Sequence, residues 1–180
     1  LDIMVNQVAE AMDVAVCSVY VLDERNQRYV LLASHGLRAE AVGHVSLHTS
    51  EGLVGFVGQR EEIVNLENAP KHERFLYLPE TGEEIYNSFL GVPIMYRRKV
   101  MGVMVIQNRE SQHFSEAAES FLVTLCAQLS GVIAHAHVVG NIDVFRKPNT
   151  GLSYQIFQGV AGAGGIALGR ALILYPPADL

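Results

Sequence analysis

Residues 89–107 read FLGVPIMY-RRK-VMGVMVIQ: two apolar runs, Phe89–Tyr96 and Val100–Gln107, around the basic tripeptide Arg97-Arg98-Lys99. Both runs are of strand length and bounded by polar residues, so they predict a pair of strands joined by a tight turn. The turn contains neither Gly nor Asn, which leaves its hairpin type open.

Working outward from this pair, the segment Leu66 to Ser88 is polar and contains Pro70, Pro79 and Gly82. Ordered loops longer than ~12–15 residues are uncommon in compact domains and are often functional. Before the loop, Ile63–Asn65 predicts a brief strand. Ser50-Glu51-Gly52 introduces a short N-capped helix over Leu53–Gly58, whose glycines permit close packing. Val45–Leu47 predicts another short strand. Val16–Leu22 and Arg28–Ser34 flank the polar turn Asp23–Gln27 and predict a hairpin closed by His35-Gly36. Leu1, Met4 or Val5, Val8 and Met12 lie at helical spacing, ending near Asp13. Beyond the central pair, Ser115 is placed to N-cap a last helix, with Glu116 and Glu119 suited to its dipole. The expected class is α+β. An antiparallel sheet carries the terminal helices on one face, and the short helix and long loop cover the other.

The run Phe121–Val139 carries no formal charge over nineteen residues, close to the length of a membrane span. Thr124, Gln128, Gly131 and His135 nevertheless recur as a polar stripe. Phe121, Leu122, Leu125, Leu129, Val132, Ile133 and Ala136 form the opposite face. This pattern predicts a helix packed on protein.

Composition excludes other classes. The chain has 180 residues, 49% hydrophobic and 18% charged, with mean hydropathy +0.20, so it can build a core and is not disordered. Its net charge of −6 opposes binding to nucleic acid through phosphates. That charge is uneven. Residues 1–140 hold ten basic and seventeen acidic side chains, residues 141–180 three and two, and the change falls at the turn-rich connector Arg146–Gly151. Two cysteines, Cys17 and Cys126, without a CxxC pair fit a reducing compartment. The chain opens at Leu1 without an initiator Met and stops at Leu180 just after a strand-like run, which reads as a piece excised from a longer polypeptide.

Catalytic signatures are missing from the sequence. There is no Gly-x-Ser-x-Gly, no P-loop and no His-Glu-x-x-His. The seven histidines show no metal-ligand spacing: His135 and His137 point to different sides of a helix, and His44 and His48 bracket a strand. No cofactor is expected. The cysteines lie in apolar strand and helix and read as small hydrophobes. The glycine cluster Gly159–Gly169 admits a forced dinucleotide match, but a strand-like run follows it, so a glycine-rich turn is the better reading. The long loop gathers Lys71, His72 and Arg74 with Phe75 and Tyr77, a mixture suited to a carboxylate or phosphate. Its neighbours Glu73, Glu80, Glu83 and Glu84 equally fit a solvated loop. In the first strand, Ser18, Tyr20 and Leu22 share one face, and a face with a hydroxyl and a phenol suits a pocket.

Taken in order, Cys17–Asp23, Ser50–Gly55, Ile63–Leu66, Phe89–Ile94 and Val100–Val105, followed by the closing helix, resemble a GAF domain over residues 1–137. The tail Phe157–Ala171 is similar to the opening of enzyme I, the phosphoenolpyruvate-protein phosphotransferase, although Gly164 stands where that family usually has proline. A GAF domain directly before that opening is the arrangement of the nitrogen-related enzyme I. The expected organisation is therefore a sensor at 1–137, a linker at 138–150 and the truncated start of the phosphotransferase at 151–180.

The resemblance implies a cytoplasmic regulator that adjusts autophosphorylation of the attached enzyme I domains, which pass phosphate to an HPr-like protein. It suggests glutamine or 2-oxoglutarate as the ligand, with no nucleic acid or membrane partner. It also implies pairing of two copies through the end helices, and a dimerisation module with a vestigial pocket is the alternative role. The Thr-Ser-His type phosphoacceptor motif of enzyme I is missing here, so the fragment is expected to be neither phosphorylated nor catalytic. A GAF-type reductase using Cys17 or Cys126 is the enzymatic alternative, but the cysteines do not match that set. Carried onto this sequence, the family pocket falls at Ser18, Leu53, Val54, Pro70, His72, Phe75, Phe89 and Gly91, to which the reading of the residues adds Tyr20 and Arg74.

Overall fold

A computed structural model describes residues 1–138. The strands of the central pair are β5 (Ser88–Tyr96) and β6 (Lys99–Asn108). They pair antiparallel from Ser88 opposite Asn108 to Tyr96 opposite Lys99. The other edge of β6 pairs with β1 (Val16–Asp23), Val16 opposite Gln107 and Val21 opposite Gly102. Outward from β1 lie β2 (Arg28–His35) and β3 (Ser46–His48), and outward from β5 lies β4 (Val64–Leu66). The six-stranded order is β3-β2-β1-β6-β5-β4, antiparallel throughout. The two short strands begin one residue later than their apolar patterns suggest. A three-residue strand is defined by its partner's hydrogen bonds more than by its own side chains.

Each face of the sheet has its own apolar layer. On one, Cys17, Val19, Leu90, Val92, Ile94, Met104 and Ile106 meet the helices α1 (Asp2–Met12) and α3 (Glu116–Val138). α1 contributes Met4, Val5 and Val8, and α3 contributes Leu122, Leu125, Leu129 and Ile133. Gln128, Gly131 and His135 face outward on α3, so this helix, uncharged from Phe121 onward, packs its apolar face on the sheet as a core helix of the domain. Burial of each such large side chain is worth about 1.5–3 kcal/mol. On the other face, Tyr20, Phe89, Val103 and Val105 meet α2 (Gly52–Arg60), which brings Leu53, Val54 and Val57.

Local chemistry fixes the ends of the helices. α1 stops where Asp13 turns left-handed at φ 51°, and the Val14 N–H closes back on the Ala9 carbonyl. The Ser115 hydroxyl accepts the Ala118 N–H at 3.2 Å and caps α3. Asn65 on β4 anchors that corner: its amide donates to the Phe114 carbonyl and to Glu119, and its oxygen accepts the Phe114 N–H. α2 departs from expectation. Its N-cap is Glu51, whose carboxylate accepts the His48 N–H at 2.8 Å rather than a helix N–H, and the Ser50 hydroxyl pairs with His48 Nδ1. Close approach of α2 to the sheet depends on glycine. A Cβ on Gly58 would fall 2.0 Å from the Tyr29 hydroxyl, and one on Gly91 would fall 2.6 Å from Val57.

The stretch 67–87 is ordered by its own bonds. It contains two 3-10 turns, Ala69–Lys71 and Glu83–Ile85. The Ala69 N–H donates to the Asn87 carbonyl at 2.6 Å, and the Arg38 N–H donates to the Thr81 carbonyl at 3.1 Å. Val138 of the expected linker is the last described residue, as the end of α3. The rest of the linker, the glycine-rich turn and the segment 151–180 lie outside the described residues.

The type of the central turn is now defined. Arg97 and Arg98 both have positive φ, 48° and 65°, the type I′ signature, although neither is Gly or Asn. The Arg97 guanidinium lies over the Tyr96 ring, 5.2 Å from its centroid. Left-handed backbone strains both arginines. Replacing Arg97-Arg98 with Asn-Gly is expected to stabilise the domain by about 1–2 kcal/mol, read as a higher urea midpoint at unchanged m-value. An unchanged midpoint would mean that the Arg97–Tyr96 stacking offsets the strain.

Candidate ligand pocket

The start of α2 and the long loop enclose a cavity of about 20 Å³ against the sheet. That is room for about one water. β1, β5 and β6 supply Tyr20, Phe89, Val105 and Gln107, α2 supplies Gly52, Leu53 and Val54, and the loop supplies Phe75, Leu76 and Glu83. These residues converge because of register. Tyr20 stands opposite Val103 and Phe89 opposite Gln107, and cross-strand partners project to the same side of a sheet.

Most of the lining is apolar, but one end is polar. Tyr20 is 4% exposed, and no described residue hydrogen-bonds its hydroxyl. Its phenol is pushed well above its ordinary value by burial, with the nearby Glu83 adding to the shift. Gln107 is 3% exposed. The Glu83 carboxyl is pushed up to about 7 by burial and, more weakly, by Glu84, against hydrogen bonding from Thr81, Gln107 and the Leu78 backbone. Glu83 is thus an ionisable group in the cavity wall that titrates near neutrality. In the α2 part of the lining, the Gly55 N–H makes the first described helical bond, to the Glu51 carbonyl, so the N–H groups of Gly52, Leu53 and Val54 lie at the uncapped helix start.

Tyr20, Leu53, Val54, Phe75 and Phe89 line this cavity; Ser18, Pro70, His72, Arg74 and Gly91 do not. Ser18 lies on the same sheet face, but its hydroxyl sits 2.8 Å from that of Ser34. Pro70 is the second residue of the first 3-10 turn and is exposed. Gly91 makes room for Val57. Of the basic and aromatic loop residues, His72 and Arg74 gather around Phe56 of α2 rather than in the cavity. The His72 ring centroid is 5.1 Å from that of Phe56, and the Arg74 guanidinium is 5.6 Å from the same ring. Arg74 donates to the Ser50 carbonyl at 2.6 Å and to Gln59 at 3.1 Å, and so latches the loop to α2.

Sequence reasoning missed Glu83 and Gln107. The available signal was Gln107 itself, a polar residue ending the apolar run Met101–Ile106 on the pocket-facing alternation.

Other chemistry is weaker. An open groove of about 610 Å³ carries Arg28, Arg38 and His44 together with Glu40 and Glu80, and its Arg28 is engaged by Ser46. Among the described residues, no three His, Cys, Asp or Glu side chains gather as a metal site. Cys17 and Cys126 are buried, and burial pushes both thiols up, away from the thiolate.

The model of the GAF domain matches residues 1–133. The chain belongs to the GAF domain family. The GAF domain of an Acinetobacter phosphoenolpyruvate-protein phosphotransferase is 77% identical in sequence, with TM-score 0.71, over 79% of this chain and 84% of that one. The GAF domain of the corresponding Coxiella burnetii enzyme, ptsP, is 44% identical with TM-score 0.74, over 78% of this chain and 83% of the other. A "Phosphoenolpyruvate-dependent phosphotransferase system" protein of Salmonella typhimurium is 42% identical over 147 residues, 82% of this chain and 20% of that protein. The chain therefore spans about a fifth of that curated relative. Its GAF domain is of the PtsP phosphotransferase type, the kind of module that serves as a regulatory domain.

Two outcomes follow for this GAF domain. A thiol reagent is expected to leave Cys17 and Cys126 unmodified in native buffer and to label both in guanidinium; fast labelling of either in the folded state would contradict their burial. Glu83 should also link folding to pH. Its folded value of about 7 lies above the ordinary 4.5, so the stability it contributes is present below pH 4.5 and is lost as pH rises through 7. Glu83→Gln should therefore flatten the fall in urea midpoint between pH 5 and pH 8. An equally steep fall in the variant would place the titrating group elsewhere.

Proposed function

We propose that this domain is the small-molecule sensor of a nitrogen-related enzyme I. In this reading it is a cytoplasmic, non-catalytic module that adjusts phosphoenolpyruvate-dependent autophosphorylation of enzyme I domains following it in the same polypeptide. Those domains pass the phosphoryl group to a nitrogen-type HPr-like protein. Glutamine and 2-oxoglutarate are the proposed ligands, since they report nitrogen status from opposite sides. The observation that carries the reading is the cavity beneath the long loop, with an ionisable carboxyl in its wall and a phenol that no described residue hydrogen-bonds. Purely structural packing would favour apolar side chains there, because an unpaired buried hydroxyl is costly. The domain start at 1, the end near 137 and the linker at 138–150 before a phosphotransferase segment at 151–180 belong to the same proposal.

The cavity's small volume also supports a second reading, a dimerisation module with a vestigial pocket. Ile3 on α1 and Val123 on α3 are exposed apolar residues on the two end helices, and pairing through these helices would cover them. Sensing and dimerisation are compatible.

Titration calorimetry of the 180-residue chain is expected to give saturable heat with glutamine, with 2-oxoglutarate or with both. Admission of either to a 20 Å³ cavity requires the loop to lift, so hydrogen exchange over residues 67–87 should change on binding. No heat with either at millimolar concentration would leave the dimerisation module, for which light scattering should find a dimer at micromolar concentration.

A further inference from the structure

We infer that Glu83, Tyr20 and Gln107 form a receptor for a ligand ammonium group, which makes the cavity selective for an amine-bearing ligand over the matching oxo acid. The inference rests on the sensing reading and assigns its discriminating residues.

Charge balance carries the argument. Of the groups lining the cavity, the Glu83 carboxyl and the Tyr20 phenol are the ionisable ones, and no Lys, Arg or His side chain is among them. Of the basic residues of the loop, His72 and Arg74 pack on Phe56 of α2, and Arg74 is engaged by Ser50 and Gln59. A dianion entering the cavity would meet an acidic carboxyl and no side-chain cation. An ammonium group would meet a carboxylate.

The number of acceptors also fits. An alkylammonium presents three N–H donors. Glu83 supplies carboxylate oxygens, Tyr20 a phenolic oxygen without a described protein partner, and Gln107 an amide carbonyl. Charge-assisted bonds of this kind are the strong ones in a site shielded from water. Gly52, Leu53 and Val54, which open α2 without a side-chain cap, line the same cavity. A helix start attracts negative charge. The lining therefore offers acceptors for the ammonium of an α-amino acid and a helix start for its carboxylate.

The proton balance is defined. Glu83, held near 7 when free, is partly protonated at neutral pH. It faces the Tyr20 phenol from β1, the uncharged Gln107 from β6 and Thr81 on its own loop; Glu84 follows it in the chain, and the Arg38 side chain packs against Gly82 just before it. Arrival of an ammonium favours the carboxylate, so the Glu83 proton leaves to solvent on binding. Affinity should then rise as pH increases from 6 to 8.

The test is calorimetry of the 180-residue chain with glutamine, 2-oxoglutarate and a panel of the other common amino acids, at pH 6, 7 and 8. At pH 7 each titration is repeated in phosphate and in Tris, whose ionisation heats differ. Expected are tighter binding of an amino acid than of 2-oxoglutarate, proton release at pH 7, and rising affinity with pH. Glu83→Gln should weaken the amino acid by about tenfold or more and abolish both the proton release and the pH dependence. Tyr20→Phe, which keeps the ring and the packing, should weaken it about three- to tenfold, and so provides the test if the Glu83 variant fails to fold. Binding of 2-oxoglutarate alone, or of an amino acid with Glu83→Gln and Tyr20→Phe both unchanged, would overturn the receptor and leave sensing intact. Glu83-dependent binding of an amino acid other than glutamine, with glutamine and 2-oxoglutarate both inert, would uphold the receptor and overturn the proposed metabolites. No binding by any compound would overturn both.

Discussion

The constraint on which the rest depends is that β6 is apolar on both sides. Val103 and Val105 face one way, Met104 and Ile106 the other, and all four are buried. A strand of this kind at the middle of a sheet needs two covers. The terminal helices provide one because α1 and α3 both carry apolar stripes. Among the described residues no comparable helix remains for the second, so the nine-residue α2 and the long connection before β5 serve there. The loop is therefore a structural lid as well as a candidate functional element, and the cavity is the space that this irregular cover leaves unfilled.

Much of this was legible in the residues. Periodicity located the hairpins and both terminal helices, because each has a strong repeat or, as Ser115 shows, a side-chain cap; the short glycine-rich helix was placed correctly although its expected cap is not made. The fold class followed from their order. What escaped was set by tertiary contact. Arg97 and Arg98 take left-handed backbone because the register of β5 and β6 leaves two residues to reverse the chain. Ser50 reads as a helix cap until the adjacent His48 is placed beside it.

The site was legible by half, for a reason that also lies in packing. Side chains on strands and on α2 could be placed by alternation and spacing, and Tyr20, Leu53, Val54 and Phe89 do meet at one cavity. Loop side chains obey no such rule. Arg74 and His72 have the chemistry of an anion site, yet the aromatic face of Phe56 and the free carbonyl of Ser50 hold them outside. Glu83 has the chemistry of a solvated loop carboxylate, yet a 3-10 turn carries it inward against Gln107. Local sequence describes what a group can do, and the fold decides which groups share a space.

The sheet between the cavity and the terminal helices is one strand thick. In β5, Phe89 lines the cavity while its neighbour Leu90 lies in the layer packed by α3, so the two environments are separated by a single peptide bond. α3 has 23 residues, and at 1.5 Å per residue it is a rod about 35 Å long. Such a rod turns small angles into distances: a tilt of about 5° at its packed end carries the far end through about 3 Å. With that leverage, a spreading of strands too slight to disturb the core would be read out as a displacement the size of an atom.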